Sequence, residues 1–118
     1  MLNEEFITAL IGLPEFRAID GRIEKDGLVS IEVKLDNEVA ICPHCQAISF
    51  SVLAYVPRRI RDLSSCGRKV YLCYKWRRFR CWSCQRSFVE RLGAVELGSH
   101  QTKRYEEEIA RQVKDATV

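Results

Sequence analysis

No apolar run in the sequence approaches the ~20 residues needed to span a bilayer. The opening residues also lack the basic start and long apolar stretch of a secretory leader, and Glu4 and Glu5 stand there instead. Both absences point to a soluble, cytoplasmic protein. The signatures of catalysis are missing too. There are no paired carboxylates in a recognisable motif, no nucleophile set beside a base, and no glycine loop to cradle phosphate. We therefore expect neither an enzyme nor a small-molecule substrate.

What the sequence does have is cysteine in a pattern. Cys42-Pro43-His44-Cys45 and Cys81-Trp82-Ser83-Cys84 are two C-x-x-C pairs separated by 35 residues. In each pair, two thiolates from one tight turn can reach the same tetrahedral ion, with Zn–S bonds of ~2.3 Å. Together the pairs supply four soft ligands and leave no open position for water or substrate, so one structural Zn2+ is expected on Cys42, Cys45, Cys81 and Cys84. The spacer exceeds the ~15–20 residues of the compact pattern and should hold a folded insert. Two alternatives are weaker. A thioredoxin-type motif opens a helix, but Gln46 to Val56 alternates like a strand. A disulfide framework belongs to small secreted chains, and no leader is visible. His44 is expected to be solvated or hydrogen-bonded. Cys66 falls in a loop, and Cys73 reads as a small strand hydrophobe.

The net charge of +3 conceals a segregation. Residues 1–41 carry nine acidic and four basic side chains. Between Pro57 and Arg86, ten basic residues face Asp62 alone. These ten, Arg58, Arg59, Arg61, Arg68, Lys69, Lys75, Arg77, Arg78, Arg80 and Arg86, make a local positive field suited to phosphate and are the candidate nucleic-acid contacts.

In chain order, 118 residues allow one domain, or one domain with the start of another. Residues 3–11 read as a helix capped by Asn3, with Phe6, Ile7, Leu10 and Ile11 on one face, ended by Gly12 and Pro14. A hairpin follows around Asp26-Gly27: Arg17 to Lys25 with Ile19 and Ile23 inward, then Leu28 to Leu35 with Val29, Ile31, Val33 and Leu35 inward. Ser49 to Val56 is a strand, and Ser64, Ser65 and Gly67 mark a turn. Lys69 to Arg80 is a long strand with Val70, Leu72, Tyr74 and Trp76 on one face. A bulge is expected at Arg77-Arg78, where the pattern breaks. Ser87 to Leu92 is a last strand, residues 93–99 a linker, and Thr102 starts an amphipathic helix with Tyr105, Ile109 and Val113 in line. The expected fold is a small α+β chain with three parts. Residues 1–40 hold a helix and β-hairpin. Residues 41–92 form a four-cysteine zinc ribbon of antiparallel strands and two knuckles. Residues 93–118 are a linker and C-terminal helix.

Four stretches carry a resemblance: Ile41 to Cys45, Val56 to Leu63, Lys69 to Leu72, and Arg77 to Phe88, the last reading R-R-F-R-C-W-S-C-Q-R-S-F. Together they resemble the N-terminal zinc-finger region of bacterial insertion-sequence transposases of the ISL-three family. In that family the finger precedes a helix-turn-helix and a catalytic domain with the acidic triad of DDE transposases. The resemblance implies zinc on the four cysteines, a C-terminal helix that begins the helix-turn-helix, and recognition of the transposon ends. It also implies a bacterial, nucleoid-associated setting. The 118 residues leave no room for the catalytic domain, so strand transfer is not expected of this chain. The alternative role is a protein-interaction module docking on a larger nucleoprotein complex, with a homodimer or protein partner held through the C-terminal helix.

Overall fold

The computed structural model describes residues 4–96 and 98–116. The chain runs α1 (Glu4–Ile11), β1 (Arg17–Ile23), β2 (Val29–Lys34), β3 (Ala40–Ile41), β4 (Ile48–Ser49), β5 (Ser51–Ser65), β6 (Arg68–Arg80), β7 (Ser87–Val89) and α2 (Lys103–Ala116). This is the expected α+β chain, and the helix, the hairpin, the long strand and the C-terminal helix all stand where the residue pattern places them. The proposed Asn3 cap lies outside the described residues.

One five-stranded sheet carries the molecule, in the order β1-β2-β6-β5, with β7 on β6 as well. β6 is its spine. One edge of β6 pairs antiparallel with β5; the other takes β2 at Val70–Cys73 and β7 at Arg78–Arg80. The β2–β6 pairing is parallel, so the N-terminal hairpin extends the same sheet as the long strands. β5 is also longer than expected. It runs through Pro57 to Ser65, which an edge strand allows because proline's missing N–H faces away from the ladder. Cys66 (φ 52°) and Gly67 (φ 74°) then form a two-residue hairpin turn, both residues having the positive φ of a type I′ turn.

The main core lies on the face of β6 that presents Val70, Leu72, Tyr74 and Trp76, all buried. Ile60 from β5, Val33 from β2, Ala18 from β1, Ile11, Phe16, Leu92 and Val95 complete it. Two expectations for this core fail at the edge. Ile19 is exposed at a bulge between Ala18 and Asp20, and Ile23, opposite Val29 on the core face, is exposed at the end of the strand, which leaves Ala18 as the buried residue of β1. On α1, Ile7 and Ile11 face the sheet while Phe6 and Leu10 are exposed, so the buried stripe is narrower than the apolar one. The segment expected as a linker is partly core: Val95 is buried, and Glu15 accepts hydrogen bonds from the N–H groups of Gly93 and Ala94.

A second, smaller core occupies the other face of β6 near its end, built from Phe79, Phe88, Cys42 and Cys81. The Phe79 and Phe88 rings stack with centroids 5.7 Å apart. This switch of face explains the broken alternation at Arg77-Arg78. β6 itself continues without a bulge; the register shift lies on its partner β5, between Val52 and Ala54. The apolar side changes because the knuckles pack on the opposite face from α1.

Candidate metal centre and nucleic-acid interface

Each knuckle repeats one backbone plan. The N–H of Gln46 donates to the carbonyl of Cys42 and that of Gln85 to the carbonyl of Cys81 (2.9 and 2.8 Å), while the N–H of each first cysteine donates five residues on, Cys42 to Ala47 and Cys81 to Arg86. Both glutamines have φ 66°, a left-handed conformation that turns the chain back after the second cysteine. The repeated C-x-x-C-Gln is the signal that could have found them; sequence reasoning stopped at the cysteines. β3 and β4 then form the stem of the first knuckle, and β6 with β7 the stem of the second. Buried Ser49 ties the stems together by donating its hydroxyl to the carbonyl of Arg80.

This plan brings Cys42, Cys45, Cys81 and Cys84 together, with all four sulfurs within 4.8 Å of one another. The Cys42–Cys84 and Cys45–Cys81 Sγ separations are 3.7 and 3.5 Å. A regular tetrahedron with ~2.3 Å Zn–S bonds has edges of about 3.8 Å, so the residues fit the ion. The chemistry of the donors agrees. The backbone N–H groups of Cys84 and Ser83 and the Cys45 thiol outweigh burial and draw Cys81 down to about 7. Cys84 goes the other way. The backbone N–H of Arg86 lowers it, but burial and the neighbouring Cys42, Cys81 and Cys45 thiols win and push it up to about 11. Four thiolates this close need a cation among them. The N–H of His44 points at the Cys42 sulfur at 3.4 Å, which helps hold it as a ligand. The His44 ring lies outside the sulfur cluster, 3.5 Å from Arg86. Cys66 is exposed in its turn and Cys73 half-buried in β6, both away from the metal.

Residues 38–84 match the family model described as the zinc finger of transposases IS204, IS1001, IS1096 and IS1165. This segment is similar to the zinc-ribbon region of ISL-three transposases. No curated protein and no solved structure matches the chain. The zinc ribbon so defined spans both knuckles, β5 and β6, and its four cysteines hold one structural Zn2+.

The ten cations of the ribbon do not share one fate. Arg77 is buried, and its guanidinium is committed on every side. Nε and Nη2 donate to Glu90 at 2.9 Å, and Nη1 and Nη2 to the carbonyl and side-chain oxygen of Asn37 at 2.8 Å. Glu90 also accepts from the Tyr74 hydroxyl at 2.7 Å, and its carbonyl takes the Trp76 indole N–H. The assignment of Arg77 to a nucleic-acid surface is therefore corrected: Arg77 holds the junction of the two cores. Neither Glu90 nor Asn37 was singled out from sequence, because an isolated carboxylate beside many arginines carries no positional signal. Arg61 is half-buried, packed over the rings of Tyr71 and Tyr105 and bonded to Ser64. Arg80 is half-buried over Trp82, with Nη2 on Gln85 and its Nε buried without a partner among the described residues. Arg68 bonds the carbonyl of Gly27. Arg58, Arg59, Lys69, Lys75, Arg78 and Arg86 are exposed.

Proposed function

We propose that this zinc ribbon is a DNA-binding module of a transposase, recognising the ends of the element, and that the described residues do no chemistry themselves. The observation that carries the reading is the rigid presentation of cations. Exposed arginines and lysines stand on the paired strands β5 and β6, whose end is pinned by the metal, within a segment matching transposase zinc fingers. The four-thiolate centre has no open coordination position, so its role is to hold these strands. If four or five of the cations neutralise phosphates, log affinity falls with log salt at a slope of about −4, at ~0.9 per contact. A mobility-shift titration with duplexes carrying the element's ends tests this. Phosphate contacts give binding, while preference for the ends over random duplex reports base contacts. Absence of binding at low salt would remove the proposal.

A second reading, docking on a protein, is favoured by the exposed Ile41, Ile48 and Phe50 at the metal end and by Val113 on α2. Light scattering separates the two: a monomer that binds DNA alone disfavours the docking role.

A further inference from the structure

Strand alternation divides the cations between the two faces of the β5–β6 pair. Arg58 and Arg78 stand on the face of Trp76, whereas Arg59, Arg61 and Lys75 stand on the other. The faces differ in their surroundings. The second bears a broad groove of about 780 Å³ in which four carboxylates, Asp20, Glu24, Asp26 and Glu32, outnumber three cations. The first bears a groove of about 420 Å³, walled by Arg58, Arg78 and His100 over Val56, Val89 and Trp76, and among the described residues no carboxylate lines it.

We propose that the groove walled by Arg58, Arg78 and His100 is the surface on which the phosphate backbone of duplex DNA lies. This rests on the DNA-binding reading above and adds the face that makes contact. Charge complementarity selects the occupant: a polyanion is repelled from the carboxylate-rich groove and attracted to the one without carboxylates. The arginines are available. Arg58 has no hydrogen bond or ion pair among the described residues, and Arg78 has only Ser87 at 3.1 Å. Their spacing suits the task. Arg78 pairs with Ala54, four residues from Arg58 on β5, which is roughly 13 Å at ~3.3 Å per residue. One DNA strand advances ~3.4 Å along the axis per phosphate and further along its helical path, so the two guanidinium groups can meet different phosphates of one strand. Val56 and Val89 are 41% and 45% exposed between them and offer apolar surface to the sugars. The Trp76 beneath is fixed by its bond to Glu90, so the floor is preformed.

The test compares salt slopes on one random-sequence duplex of about 30 bp. Arg58→Ala with Arg78→Ala is expected to weaken binding on the order of tenfold and to reduce the slope by about 2, from ~0.9 per phosphate contact. Arg59→Ala with Lys75→Ala, on the opposite face, is expected to leave the slope within about 0.5. Arg58→Lys with Arg78→Lys keeps both charges and should restore the slope, which a folding defect would not permit; zinc content confirms the fold of each variant. An unchanged slope in the first pair with a reduced slope in the second overturns the assignment and leaves DNA binding intact. Failure of the unmodified protein to bind the duplex at about 50 mM salt overturns both.

Discussion

Arg77 shows how one side chain in a basic run can serve the fold alone. Its hydrogen bonds to Glu90, reinforced by the charge of that carboxylate, outweigh burial and raise its pKa. Burial and the same carboxylate raise that of Tyr74. Removing one member of such a pair strands the other charge in a dry site. Arg77→Ala should therefore cost about 3–5 kcal/mol of stability, while Lys75→Ala, two residues away and exposed, should stay within about 0.5 kcal/mol; urea denaturation followed by circular dichroism measures both. The cysteines separate similarly by surroundings. Zinc-held thiolates are shielded from thiol reagents, Cys66 is exposed, and burial pushes the Cys73 thiol up, reducing its reactive thiolate fraction. A thiol titration of the zinc protein should show one fast group and one slow one, and all six thiols should react once a chelator is added. Four reactive thiols before chelation would contradict the metal centre.

At the scale of elements, the helices, the hairpin and β6 were legible because each follows a local period, and the metal ligands because C-x-x-C spacing encodes their geometry. What escaped depended on partners distant in sequence. The parallel contact of β2 with β6 has no local signal, and neither does the change of buried face between Trp76 and Phe79, which needs the knuckles packed on one side and α1 on the other. The anchoring of α2 is of this kind too. Thr102, fully buried, accepts the Tyr105 N–H as the helix cap and donates to Asp62 at 2.9 Å, and Arg104 grips the same carboxylate with two donors. Burial would raise the Asp62 pKa, but the hydrogen bonds from Arg104, the Leu63 N–H and Thr102 outweigh it and hold it below the usual carboxylate range. A depressed folded pKa means that the unfolded chain takes up protons first as pH falls. The contribution of Asp62 is then complete above the unfolded value of ~3.9 and disappears as pH drops through the folded one. The stability gap between the native protein and Asp62→Asn should accordingly be constant near neutrality and narrow below about pH 4. The gap is the informative quantity, since acid releases zinc from both proteins. Thr102→Ala should cost about 1–2 kcal/mol, read from the same denaturation curves.

Over the whole molecule, the radius of gyration is 16.3 Å and the extents are 49 × 42 × 23 Å, whereas a compact chain of this length would have a radius of ~13.5 Å. The shape is a flat slab built on one sheet, whose two faces carry cores of unequal strength. Among the described residues, the larger gathers eleven buried residues around α1 and the sheet, and the smaller has four, two of them zinc ligands. Phe79 against Phe88 is a thin foundation for two knuckles and their stems, so the metal, worth roughly 10–16 kcal/mol in free-standing zinc-finger peptides, holds that end. Chelation should therefore unfold the molecule unevenly. Amide protection should vanish at Gln46, Ser49 and Gln85, whose bonds belong to the knuckles, and persist at Ile60 and Leu72 in the larger core. DNA affinity should fall with it, because Arg78 pairs with Val89 of β7 on the metal-dependent end, while Arg58 sits opposite Tyr74 in the part that survives. Hydrogen exchange with and without chelator measures this directly. Simultaneous loss at Leu72 would mean that β6 couples the two cores into one cooperative unit, and retained protection at Gln46 and Gln85 would mean that the knuckles stand without their ion.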